Sequence, residues 1–101
     1  MSAKIPVNRQ KIVEFCRQHR IRKLALFGSV LRDDFRPESD VDILVEFEPG
    51  ATPGLIRLAG MEIELTEMLG RKADLRTPAE LSRYFRQEVV ETAEVQYDAT
   101  A

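Results

Sequence analysis

The sequence predicts an α/β fold, and three observations carry that prediction. Short apolar runs with strand character stand at 22–27, 41–47 and 72–76. Stretches with apolar residues at helical spacing separate and flank them. Gly, Pro, Ser and Asn fall between these segments, where caps and turns are needed. The expected order is helix, strand, short helix, strand, helix, strand, helix. That gives three main strands and about four helices in one domain spanning 1–101.

Each element has its own signal. Asn8 is a plausible N-cap, and Val7 with Ile12 is placed as a hydrophobic staple. Ile12, Phe15, Cys16 and His19 then recur at helical spacing through about Arg20. His19, the only histidine, reads as a helix-terminal residue favoured by the dipole. Arg22 to Phe27 is the first strand. Gly28 permits a tight turn, and Ser29 suits the N-cap of a short helix from Val30 to about Asp34. Arg36-Pro37-Glu38-Ser39 turns the chain into the second strand, Val41 to Phe47. Thr52-Pro53 looks like the start of the next helix, with Leu55, Leu58, Met61, Leu65, Met68 and Leu69 as its apolar stripe and Gly70 as its stop. Lys72 to Arg76 is the third strand. Thr77-Pro78-Ala79-Glu80 has the form of a capping box. In the helix expected after it, Leu81, Tyr84, Phe85, Val89 and Ala93 face inward, and Glu88, Glu91 and Glu94 form a solvated face.

Composition excludes several classes. Of 101 residues, 44% are hydrophobic and 32% charged, which is globular rather than disordered. A net charge of −2 argues against a general nucleic-acid binder. The single Cys16 gives neither a disulfide framework nor a zinc motif, and on an apolar helical face it reads as a buried thiol. No segment is long and apolar enough to span a membrane or to act as an export signal, so a cytoplasmic protein without membrane contact is expected.

The chemistry concentrates in one constellation. Gly28-Ser29 precedes Asp40-Val41-Asp42 by ten residues, and Asp74 stands in the third strand. Strand side chains alternate between faces, so Asp40 and Asp42 are expected to point the same way. Two carboxylates on one face repel each other and are better tolerated with a cation between them. Magnesium takes hard oxygen ligands, usually one or two carboxylates plus substrate phosphates. Two such ions suit an in-line displacement at phosphorus. A Gly-Ser turn before a helix offers backbone N–H groups to phosphate. A lone Gly-Ser is only a turn signal, and a lone Asp-x-Asp is commonly a solvated turn. With ordinary residue usage, the composite should arise by chance in a chain this size roughly once in a thousand. Glu46 and Glu48 read as strand-end acids rather than ligands.

These residues resemble a known family. Gly28-Ser29-Val30-Leu31-Arg32, followed by Ser39-Asp40-Val41-Asp42-Ile43-Leu44-Val45, is similar to the signature of minimal nucleotidyltransferases (MNT), in the DNA polymerase beta-like nucleotidyltransferase superfamily. The stretch from Met61 to Leu65, with Leu69 to Leu75, resembles the family's third-acid region. The likeness runs from about Ile12 to Tyr97. Two departures are Asp33, where many members carry Gly, and Arg76, where an apolar residue often follows the third acid.

The resemblance implies a small mixed sheet with the third strand beside the second, so that Asp74 joins Asp40 and Asp42. It implies that these three acids hold two Mg2+ ions and carry catalysis, and that Gly28 and Ser29 bind the β- and γ-phosphates of ATP. Arg32 would touch phosphate or support the turn; a salt bridge with Asp33, Asp34 or Asp40 is an equal reading. Members often act as antitoxins that transfer AMP to a tyrosine of a HEPN-domain toxin, which is the expected partner. Little chain follows the third strand, so the acceptor is expected to be gripped elsewhere. Neutralisation by binding alone remains an alternative. So does transfer to a small molecule or nucleic acid in a site completed by another subunit.

Overall fold

The computed structural model describes residues 7–31, 36, 39–81 and 83–99; for residues 29, 80 and 83–85 it describes the backbone alone. Three α-helices and four strands follow in the order α1 (Arg9–Gln18), β1 (Ile21–Phe27), β2 (Val41–Phe47), α2 (Leu55–Leu69), β3 (Ala73–Arg76), α3 (Arg83–Thr92) and β4 (Glu94–Asp98). Two 3-10 turns, Gly28–Leu31 and Pro78–Glu80, complete the path. The sheet order is β3-β2-β1-β4. β1 pairs antiparallel with both β2 and β4, whereas β2 and β3 are parallel, so the sheet is mixed.

The local signals explain most of the elements. Asn8 caps α1, its Oδ1 accepting from the Lys11 N–H at 3.1 Å. Val7 packs against the core cluster that contains Ile12, consistent with a staple. α1 ends at His19, and Arg20 then takes a left-handed conformation, φ +55°, where glycine is usual. Its carbonyl accepts from the Glu48 N–H at 3.0 Å, which ties the helix end to the exit of β2. Gly70, φ +70°, ends α2 as expected, its N–H donating to the Thr66 carbonyl at 2.9 Å.

One face of the sheet carries the core. Leu24 and Leu26 of β1, Val41, Ile43 and Val45 of β2, and Ala73 and Leu75 of β3 pack with Ile12, Phe15 and Cys16 of α1 and Met61 and Leu65 of α2. The alternate residues, including Ala25, Asp42, Leu44 and Asp74, belong to the other face by strand periodicity. Among the described residues no helix is long and apolar enough to cross a membrane.

Several expectations are corrected. A fourth strand, β4, replaces the end of the expected last helix. Glu94-Val95-Gln96-Tyr97 gains ladder bonds to β1 that an isolated segment cannot show. Glu94 is accordingly half-buried in a strand and accepts from Gln96 Nε2 at 3.1 Å, rather than lying on a solvated helix face. The segment after β1 is a 3-10 turn that begins at Gly28 itself, so Ser29 is not its N-cap. In place of a capping box opening the last helix, Pro78–Glu80 makes a 3-10 turn, and α3 starts later, at Arg83. Gly54, not Thr52, is the N-cap of α2. Leu55 leaves the apolar stripe and is 85% exposed. The inward residues Tyr84 and Phe85 have side chains outside the described set.

Candidate active site

The candidate site begins at the end of β1. Phe27 lies opposite Asp42 in the β1–β2 ladder, and Gly28 follows with φ +74°. A Cβ at Gly28 would run into Asp42 Oδ2 and come within 3.3 Å of Asp42 Cγ. Glycine is therefore required twice, for its backbone conformation and for the close approach of a carboxylate. Val30 and Leu31 are buried and anchor the turn. The backbone of Ser29 belongs to this turn, but its side chain lies outside the described residues. Arg32, Asp33 and Asp34 also lie outside them.

The entry to β2 is held from two sides. Arg36 and Ser39 close a reciprocal turn: the Arg36 N–H donates to Ser39 Oγ at 3.2 Å, and the Ser39 N–H donates to the Arg36 carbonyl at 3.0 Å. Arg71 donates to the same carbonyl at 3.3 Å. The Val41 N–H donates to the Lys72 carbonyl at 2.8 Å, which pins the start of β2 to the start of β3. Asp40, exposed, sits between these two anchors. Asp40 and Asp42 each take part in further polar interactions.

β3 brings the third acid alongside. Asp42 and Asp74 are direct register partners in the parallel β2–β3 pair, and both are half-buried. The pairing sets two carboxylates on one face, where they repel each other unless a cation intervenes. Part of that charge is met by Arg76, whose Nη2 lies 3.2 Å from Asp74 Oδ2. Among the described residues no three His, Cys, Asp or Glu side chains are gathered as a metal would hold them. The donor chemistry nonetheless fits magnesium: hard oxygens on two register-paired residues, a third acid just upstream, and a glycine turn against one carboxylate.

Glu62 and Thr66 escaped the sequence reading. β3 is an edge strand, and its outward N–H groups need acceptors. Thr66 Oγ1 accepts from the Ala73 N–H at 2.9 Å, and Glu62 Oε2 accepts from the Leu75 N–H at 2.7 Å. These two bonds fix the backbone on either side of Asp74. The available signal was their i, i+4 spacing on the flank of the α2 stripe. The acids set aside as non-ligands are in ion pairs, Glu46 with Arg22 at 3.0 Å and Glu48 with Arg20 at 3.6 Å. His19 caps α1 and places Nε2 3.0 Å from Glu64 Oε2, a structural contact between α1 and α2. A cavity of about 500 Å³ between α2 and the start of β3 and another of about 330 Å³ at the far end of β2 are lined by none of Asp40, Asp42 and Asp74.

Residues 9–96 match the nucleotidyltransferase domain family. The chain belongs to that family. A protein adenylyltransferase of Methanocaldococcus jannaschii is 36% identical over 69 residues, which cover 68% of this chain and 72% of the relative. A solved structure described as a minimal nucleotidyltransferase superposes with a TM-score of 0.69 at 33% identity, covering 84% of this chain and 85% of that one. A complex of a tri-AMPylated Shewanella oneidensis HEPN toxin with an MNT antitoxin gives a TM-score of 0.65 at 23% identity, over 91% of this chain and 71% of that chain. That last likeness is one of fold. The four-stranded mixed sheet matches that of the minimal nucleotidyltransferase neighbour, and in this chain Asp42 and Asp74 lie side by side within it.

Proposed function

We propose that this chain is a magnesium-dependent protein adenylyltransferase. It moves AMP from ATP to a tyrosine hydroxyl of a HEPN-domain toxin and so acts as an antitoxin, in the cytoplasm where ATP is supplied. The observation that carries the reading is the register pairing of Asp42 with Asp74, with the Asp42 carboxylate set against the Gly28 turn. Family membership and the adenylyltransferase relative support the reaction class. The AMPylated toxin bound to an MNT protein of the same fold supports the acceptor.

In this reading the backbone N–H groups of the Gly28–Ser29 turn bind the β- and γ-phosphates, and Arg32 would touch phosphate, support the turn or pair with a nearby Asp. Asp40, Asp42 and Asp74 would hold two magnesium ions. When bound, the metal supplies positive charge to the phosphates and to the attacking and leaving oxygens. The tyrosine oxygen attacks the α-phosphorus, the bond to the β-phosphate oxygen breaks, and pyrophosphate leaves. The Asp74 carboxylate favours loss of the phenolic proton. Most of the rate comes from positioning and charge stabilisation.

A second reading, neutralisation by binding alone, draws on the exposed Leu55, Ile56 and Ile63 of α2 and on Val90 and Val95 near the C-terminal end. Tyr97, by contrast, packs against the core. One experiment separates the two readings. The partner toxin is incubated with this protein, ATP and magnesium, and its intact mass is measured. A gain of one or more AMP units on tyrosine, lost with Asp42→Asn and kept with Glu48→Gln, supports transfer. Asp42→Asn should lower turnover by at least about a hundredfold, because a carboxylate at the reacting charges is removed. An unmodified toxin still neutralised by Asp42→Asn establishes binding alone.

A further inference from the structure

We infer that Arg76 is a cation placeholder: it holds the Asp74 carboxylate until a metal ion takes it, and so weakens the site's affinity for metal. The inference rests on the metal-binding reading of Asp42 and Asp74. Arg76 lies two residues beyond Asp74 in β3, hence on the same face of the sheet. Its Nη2 is 3.2 Å from Asp74 Oδ2. Asp42 stands directly across from Asp74 on the neighbouring strand. Without a cation, a carboxylate so placed is repelled by its neighbour and drawn toward the guanidinium.

The backbone cannot take part in the exchange. The Ala73 N–H is held by Thr66 and the Leu75 N–H by Glu62, while Val41 ties β2 to Lys72. Asp74 can therefore change partner only by rotating its side chain, and β3 stays in place. The side chains of the pair are 48% and 30% exposed, so water screens the attraction and the exchange stays easy. Arg76 is a positioning residue acting through Asp74.

The test is manganese binding to the full chain without nucleotide, read by electron paramagnetic resonance. Arg76→Gln and Arg76→Met should each raise Mn2+ affinity about two- to fivefold, the range expected for a screened pair. Arg76→Lys, which keeps the charge, should stay near wild type. In an Asp74→Asn background, Arg76→Gln should have no effect. Structural damage from losing Arg76 would lower the affinity, the opposite sign. If Asp42→Asn weakens binding but both neutral Arg76 variants match wild type, this inference is overturned and the proposed function stands. If Asp42→Asn leaves Mn2+ affinity unchanged, the metal-binding reading fails, and the role of Arg76 fails with it.

Discussion

At the scale of single residues, Gly28 is the most constrained of the glycines, the one whose missing Cβ would meet a neighbour. Its left-handed backbone and its contact with Asp42 are separate demands, and they can be measured separately. Gly50 also has a positive φ, +78°, but nothing lies within 4 Å of its missing Cβ. Gly50→Ala should therefore cost only the conformational strain, about 1 kcal/mol. Gly28→Ala should cost more and should also displace the Asp42 carboxylate, reducing AMP transfer. Urea unfolding of both variants checks this, and equal losses would remove the close approach from the argument. Cys16 makes a second residue-level prediction. Burial pushes its thiol up from 9.0 to about 12. Below pH 9 folded and unfolded chains both keep the proton. Between about 9 and 12 the unfolded chain loses it while the folded chain retains it, so stability falls as pH rises through that window. Cys16→Ala lacks this contribution, and its urea midpoint should decline less steeply with pH over the same range. The native thiol should also resist iodoacetamide at pH 8.5 to about the extent that the chain stays folded. Both residues announce themselves in the sequence, Gly28 by its place after a strand and Cys16 by its helical spacing. The contact between Gly28 and Asp42 does not, because it joins segments fourteen positions apart.

At the scale of elements, the edge strand β3 depends on α2. Thr66→Val removes the acceptor for the Ala73 N–H and leaves a part-buried donor unsatisfied, a loss of about 1–3 kcal/mol. Glu62→Met does the same for Leu75. Hydrogen exchange followed by mass spectrometry should show faster exchange confined at first to 73–76, the range of β3. AMP transfer should fall in step, since Asp74 lies between the two bonds. Unchanged protection of β3 in both variants would mean that its pairing with β2 suffices. The elements themselves were largely legible: α1 from Asn8 and its apolar spacing, β2 from its β-branched run, the end of α2 from Gly70. Two of the departures share one cause. Thr77-Pro78 and Glu94-Val95-Gln96-Tyr97 carry mixed local preferences, and neighbours elsewhere in the chain decided them.

At the scale of the whole molecule, the candidate site draws on three strands. β1 brings the Gly28 turn, β2 brings Asp42, and β3 brings Asp74. Such a site should be stabilised by the ligand that spans it. With magnesium and ATP at about a hundred times the dissociation constant, mass action adds about 2.7 kcal/mol. For a domain of this size that is a rise in melting temperature on the order of 10 °C. Calorimetry with ATP in excess chelator should show little of this gain. An equal shift with and without metal would mean that the acids do not work through a cation.

The sequence by itself determined the alternation of elements, the buried faces of α1 and α2, and the residue types at the site, because caps, turns and periodicity are local. It also carried the family signature, which named Asp40, Asp42 and Asp74. Only the tertiary structure decided that Asp74 lies in register with Asp42, that β4 rather than helix closes the sheet beside β1, that Glu62 and Thr66 hold the backbone on either side of Asp74, and that Arg76 pairs with its carboxylate. Strand pairing and edge hydrogen bonds join residues far apart in sequence, so their free energy appears only once the chain has folded around them.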